Sequence, residues 1–192
     1  MKRGQLVPLR AASAEQLSDE GLVAACATGD RAACGLLFER YVDAVYRFAA
    51  RMRGSDASAV DDLVQATFVA AFAAAGRYRG ASVRSWLFGI AANQVRMFVR
   101  SEIRRKRALA NVADRLSVVP PVRDPARDLE AARVPAAVAA LPIELREVLV
   151  LVDLEGEKGW EAAAALGIPE GTLWRRLFDA RQALRASLGG VP

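Results

Sequence analysis

The stretch that most constrains this chain is Gly167-Ile168-Pro169, set between two helical patterns near the C-terminal end. A helix over Trp160–Leu166 must stop at Gly167, the residue that most cheaply takes a left-handed C-terminal conformation, and Pro169 opens the next helix. In that second helix Leu173, Leu177, Ala180, Leu184 and Leu188 recur at steps of three and four, so one stripe packs inward. The remaining surface carries Trp174, Arg175, Arg176, Phe178, Arg181 and Arg185, with Asp179 as the sole acid from Trp174 to Arg185. Its N-terminus also offers free backbone N–H groups to a phosphate. A helix, a tight turn and a basic second helix suit the reading of DNA. They equally suit an αα-hairpin in a bundle with solvated arginines, so the rest of the chain has to decide.

Several classes of function drop out on composition. The chain has no histidine, and its two thiols are Cys26 and Cys34, so no zinc cluster and no histidine-based triad can be assembled. Both cysteines fall in helical patterns and read as small core residues in a reducing compartment rather than as a disulfide. No nucleophile motif, phosphate loop or metal cluster appears, so the expectation is a protein that is not an enzyme, has no small-molecule substrate and needs no cofactor. No apolar run has the length of a signal peptide core or a membrane span, which predicts a cytoplasmic protein without membrane insertion. A hydrophobic content of 53% over 192 residues is ample for one or two cores, and abundant alanine with 7% aromatics favours closely packed helices.

The net charge of +5 is unevenly placed. Arg77–Arg107 holds nine basic residues and one acid, whereas Glu144–Glu170 holds seven acids and two bases. A strongly basic middle permits a polyanionic partner.

In chain order, residues 1–18 read as a leader without a helical stripe. Ser18-Asp19-Glu20 can cap a first helix carrying Leu22, Val23 and Cys26 and ending at Gly29, and Asp30 caps a second with Leu37, Tyr41, Val45 and Phe48 on one face. After the Gly54-Ser55-Asp56 break, a third helix buries Val64, Phe68, Ala71 and Phe72 and leaves Asp61, Asp62 and Gln65 outside. A basic and aromatic loop, Arg77-Tyr78-Arg79-Gly80-Ala81-Ser82, leads into a fourth helix to about Arg107, with Trp86, Leu87, Ile90 and Phe98 inward. Arg84, Asn93, Arg96, Arg100 and Arg104 to Arg107 make it strongly basic, the mixture that stacks on and tracks a nucleic-acid strand. Pro120, Pro121 and Pro125 mark a linker, and from about Asp128 two more helices, split by Pro142, lead to the C-terminal hairpin. The predicted architecture is all-α: a leader (1–18), a four-helix module (19–107), a linker (108–127) and a second helical module (128–192).

Four motifs in this order carry a resemblance. They are Asp61-Asp62-Leu63-Val64-Gln65-Ala66-Thr67-Phe68; Arg77-Tyr78-Arg79-Gly80 with Ser85-Trp86-Leu87-Phe88-Gly89-Ile90-Ala91-Ala92-Asn93; Leu141-Pro142 through Arg146-Glu147-Val148-Leu149; and Leu166-Gly167-Ile168-Pro169-Glu170-Gly171-Thr172. From Asp19 to Leu188 the chain resembles the extracytoplasmic-function (ECF) group of bacterial sigma-70 factors. The resemblance implies that Asp61, Asp62, Gln65 and Phe68 dock on the β′ clamp helices of core RNA polymerase. It implies that Arg77, Tyr78, Arg79, Ser82, Arg84, Trp86, Asn93, Arg96 and Arg100 hold the −10 promoter element and its unpaired strand. It further implies that the second module binds the β flap and meets the −35 element through Glu170, Thr172, Trp174, Arg175, Arg176, Phe178, Asp179, Arg181 and Arg185. A cognate anti-sigma factor is a further implied partner. Trp174 and Asp179 depart from the family's usual reading-helix pattern, and neither can make the usual bidentate guanine contact. Two other readings stay open on the residues: a helix-turn-helix regulator acting without polymerase, and an adaptor that mimics a sigma factor to occupy an anti-sigma protein.

Overall fold

The computed structural model describes residues 17–53, 57–80, 82–113 and 133–189, and these are helical with no strand among them. The first 16 residues, and most of the expected linker, lie outside the described residues.

Helix α1 (Asp19–Ala27) starts where Ser18 accepts a hydrogen bond from the Gly21 amide, at 3.2 Å, and stops at Thr28 before the left-handed Gly29. Asp30 then accepts from the amides of Ala32 and Ala33, at 2.9 and 3.3 Å, and launches α2 (Arg31–Arg53). Both caps fall where the sequence predicts them. Helix α3 (Ala57–Ala74) ends in a 3-10 turn over Ala75–Arg77, and α4 (Val83–Ala113) runs six residues beyond the expected end at Arg107. Residues 108–113 are therefore helix rather than linker.

The second module comprises α5 (Arg133–Ala140), α6 (Ile143–Leu149), α7 (Gly159–Leu166) and α8 (Glu170–Ser187). Gly167 is left-handed, with φ 66°, and the Ile168 amide reaches back to the Ala163 carbonyl at 3.1 Å, the bond that closes a Schellman-type helix end. Helix α6 widens into a π turn over Val150–Leu154, closed by Glu155 N–H to the Val150 carbonyl at 2.8 Å. This widening shifts the buried face, and Val148, Leu149, Val150 and Leu151 are all buried in succession.

The two modules share one hydrophobic core. Phe48 and Phe88 stack at 5.2 Å between ring centroids, at the heart of the first module. Full burial of such a side chain contributes about 1.5–3 kcal/mol each. Against this module pack α5 and the π turn, on α2, and α7, on α4. At the α4–α7 crossing a Cβ on Gly89 would stand 2.4 Å from the Ala165 carbonyl oxygen, so the two backbones approach as closely as only glycine allows.

One expectation needs amending. Ser58–Arg77 is long and apolar enough by length and composition to cross a membrane. Its apolar side chains, Val60, Leu63, Val64, Phe68 and Ala71, are buried in the core, as in the central helix of a globular module.

Candidate nucleic-acid interface

The basic face of the first module is built by the meeting of α3, the loop after it and α4. A groove of 390 Å³ between α3 and α4 gathers Arg77, Asn93, Arg96 and Arg100 with Ile90 and Met97. These four polar residues were singled out from a loop and from three turns of one helix, and the fold brings them to one wall. Arg96 Nη1 donates to Asn93 Oδ1 at 2.9 Å, which orients the amide. Tyr78, which follows Arg77 in the loop, meets Trp86 edge to face, at 5.1 Å and 64°, and both rings are half-buried. The Tyr78 hydroxyl is buried without a hydrogen-bond partner, and burial pushes its pKa up. A second cleft, of 290 Å³, collects Arg79, Ser82 and Trp86 but is closed on its far side by Trp160 and Glu161 of α7. Arg79 is folded onto its own loop, donating to the carbonyls of Gly76 and Tyr78.

Two of the expected DNA-binding arginines are engaged within the protein. Arg84 donates to Glu157 at 2.5 Å and to Glu155 at 3.0 Å, and its guanidinium lies 4.9 Å from the Phe88 ring centroid. Arg96 forks onto Glu147 through Nε at 2.6 Å and Nη2 at 2.7 Å. The carboxylates come from the second module and their side chains are only 1–4% exposed. Ser85 also donates to Glu157, and Arg51 to Glu155. Buried carboxylates are tolerable only when paired in this way. Burial raises the Glu147 pKa, while the hydrogen bonds and charge of Arg96 pull it back down.

Sequence reasoning missed these glutamates as site residues. Their signal was the acidic run from Glu144 to Glu170, opposite in sign to the basic stretch of the first module. Gly156, left-handed at φ 72°, separates Glu155 and Glu157 and lets both face the first module.

On α3, Asp61, Asp62 and Gln65 are exposed, as expected. Phe68 is not a surface contact: it is 2% exposed, and it supports the exposed Phe38 edge to face at 4.8 Å. Its apolar ring sits on the core stripe with Val64 and Ala71, which outweighs any role outside.

On α8, Leu173, Leu177 and Ala180 are buried, and Arg175, Phe178, Asp179 and Arg185 are exposed on other faces. Trp174 donates through its indole N–H to Glu170 at 3.1 Å, and its ring covers Gly159. Arg181 grips Asp153 with two bonds of 3.0 and 2.6 Å, and this partner raises its pKa. Thr172 and Arg176 are half-buried, and the charge of Arg176 is felt at Glu147. Among the described residues no cluster of potential ligands could hold a metal ion.

Residues 37–105 match the family model described as Sigma-70 region 2, and residues 131–184 match Sigma-70, region 4. The chain is 36% identical over 174 residues to the ECF RNA polymerase sigma factor SigM of Mycobacterium tuberculosis, across 90% of this chain and 85% of the relative. It is 35% identical over 183 residues to the RNA polymerase sigma factor CnrH of Cupriavidus metallidurans, across 89% and 94%. The solved structure of CnrH in complex with the cytosolic domain of CnrY superimposes with a TM-score of 0.64 at 34% identity, over 88% of this chain and 96% of that one. The sigma factor RpoE in complex with the anti-sigma factor NepR from Bartonella quintana gives 0.59 at 25%, over 80% and 95%. A basic groove on a module that matches region 2, and a helix-turn-helix on one that matches region 4, define a sigma-70 type promoter-specificity subunit. The chain belongs to the ECF RNA polymerase sigma factors, and its function is promoter recognition in transcription initiation.

Proposed function

We propose that this chain is a non-enzymatic cytoplasmic subunit that joins core RNA polymerase, holds the −10 element with its first module and the −35 element with α8, and so helps open the duplex. The observation that carries this reading is the convergence of Arg77, Asn93, Arg96 and Arg100 on one groove, with the Tyr78–Trp86 pair built from the residue after Arg77 and the helical turn before Ile90. Cations along such a groove follow the phosphates, and the aromatic pair offers a platform for unstacked bases. Extruding a base costs a few kcal/mol, and stacking on an aromatic ring returns about 1–3 kcal/mol per base.

The exposed Asp61, Asp62 and Gln65 are the contacts to the β′ clamp helices, with Phe68 holding that surface from beneath. The second module binds the β flap. Arg175 and Arg185, exposed on α8, meet the −35 phosphates. An anti-sigma protein is a fitting further partner, since the solved relative RpoE is held by the anti-sigma factor NepR.

The test is binding to a labelled promoter fork whose −10 non-template strand is unpaired, with and without core polymerase. Tight binding is expected only when both proteins are present. Trp86→Ala should lose the preference for the unpaired strand, and Arg77→Ala with Arg100→Ala should weaken binding and flatten its salt dependence. Binding to fully paired duplex that is as strong without polymerase as with it would favour a regulator acting alone.

A further inference from the structure

The turn between α1 and α2 brings together the two thiols of the chain. The Cys26 carbonyl accepts from the Gly29 amide at 3.0 Å, and the Cys34 amide donates to the Asp30 carbonyl at 3.1 Å. Each cysteine is thus one backbone hydrogen bond away from the same short connection, on helices that pack against each other. The Cys26 thiol donates to the Cys34 sulfur. Side chains that face each other in this way, from neighbouring elements, are what a disulfide requires.

The two thiols differ in access. Cys26 is 5% exposed, in the core with Leu22 and Val23, whereas Cys34 is half-buried. A Cβ on Gly35 would meet no atom within 4 Å, so the approach beside Cys34 is open. Burial, and then the hydrogen bond and charge of Cys34, push the Cys26 pKa up to about 12, so this thiol stays protonated and is a poor first target for an oxidant. An accessible thiol in contact with a buried one suits an attacking sulfur and its resolving partner.

We propose that Cys26 and Cys34 are a redox couple that hydrogen peroxide closes into a disulfide, stapling α1 to α2. The Cys34 sulfur attacks one peroxide oxygen and the O–O bond breaks. The other oxygen leaves as water with the thiol proton, and Cys34 becomes a sulfenic acid. The Cys26 sulfur then attacks the Cys34 sulfur, the S–O bond breaks, and the hydroxyl leaves with the Cys26 proton as a second water. Two thiols lose two electrons, and one peroxide gains them. In a reducing compartment such a bond is transient, which suits a sensor rather than a structural link. Its place also matters, because α1 packs on the 3-10 turn over Ala75–Arg77, and Ala27 is the nearest side chain to Gly76, just ahead of Arg77 and Tyr78.

The reduced full chain is treated with hydrogen peroxide, alkylated and digested, and its peptides are identified by mass spectrometry. The parent should lose both free thiols together and yield one Cys26–Cys34 cross-link within a monomer, with dithiothreitol restoring both thiols. Cys26→Ser should stop at a sulfenic acid on Cys34 that dimedone traps. Cys34→Ser should leave Cys26 reduced at the same dose, and circular dichroism checks that each variant keeps its helices. In the oxidised parent the Tyr78 amide, bonded to the Ala75 carbonyl at 3.1 Å, should exchange its hydrogen more slowly, because the stapled hairpin supports that turn. Full alkylation of the parent after peroxide overturns the proposal, as does a bond formed only between chains, or passage of Cys34 to sulfinic acid with Cys26 still free. Unchanged exchange at Tyr78 in a cross-linked chain overturns the link to the basic groove.

Discussion

Two carboxylates, Glu147 and Asp19, have pKa values displaced in opposite directions, and each sets a pH dependence. Glu147 is buried, and desolvation raises its pKa despite Arg96. A raised value in the folded state means that its contribution to stability is fully present below the unfolded value and declines as pH rises through the folded one. The difference in unfolding free energy between the parent and Glu147→Gln should therefore fall as pH rises from the acid range, which titration of chemical denaturation curves will measure. For Asp19, burial also opposes ionisation, but hydrogen bonds from Tyr41 and Arg40 outweigh it and lower the pKa. Here the contribution is present above the ordinary carboxylate range and is lost as pH falls through the folded value. Asp19→Asn should be less stable than the parent at neutral pH, with the gap closing in acid. The exposure of Asp61 and Asp62 was legible in the sequence because a 3.6-residue period fixes which side of a helix faces out. The partners of Glu147, Glu155 and Glu157 were not legible, because they lie more than 50 residues away and no local rule pairs them.

Among the elements, caps and breakers were the clearest text. Ser18, Asp30 and Gly167 act within four residues of themselves, so their bonds can be foreseen without the fold. The π turn at Val150–Leu154 packs on α2 of the first module as well as on α7 of its own, contacts that no local periodicity encodes. The α4–α7 crossing is likewise a tertiary fact. Gly89→Ala should gain up to about 1 kcal/mol of helix propensity within α4. It also sets a methyl group 2.4 Å from a backbone oxygen of α7, which cannot yield as a flexible side chain would. The variant should therefore keep its helical content while α7 moves away from α4, read as a longer distance between labels on the two helices. An unchanged distance would mean that the close approach is not needed for this packing.

For the whole molecule, the division into two helical modules was visible from the motifs and the proline-containing segment, but their mutual packing was not. In the closed arrangement Arg84 and Arg96, both expected on DNA, are held by Glu147, Glu155 and Glu157. Both guanidinium groups remain partly exposed, so on the proposed reading a phosphate of the −10 strand competes with these carboxylates for them. Glu155→Gln combined with Glu157→Gln weakens that competition. The double variant should bind an unpaired −10 strand severalfold better than the parent without polymerase, most clearly at low salt, where charge competition is least screened. Equal affinities in a fluorescence titration would show that these pairs do not withhold Arg84 from the strand.

The central claim, that this chain directs core polymerase to promoters, is tested most directly by run-off transcription. Purified chain is added to bacterial core polymerase stripped of sigma, on genomic promoter fragments, beside an Asp61→Ala/Asp62→Ala variant. The account predicts new transcripts with defined start sites that weaken in the double variant, whose exposed substitutions leave the fold intact. Binding to core polymerase without any transcript would contradict it, and transcripts indifferent to loss of both aspartates would contradict the clamp contact at Asp61 and Asp62.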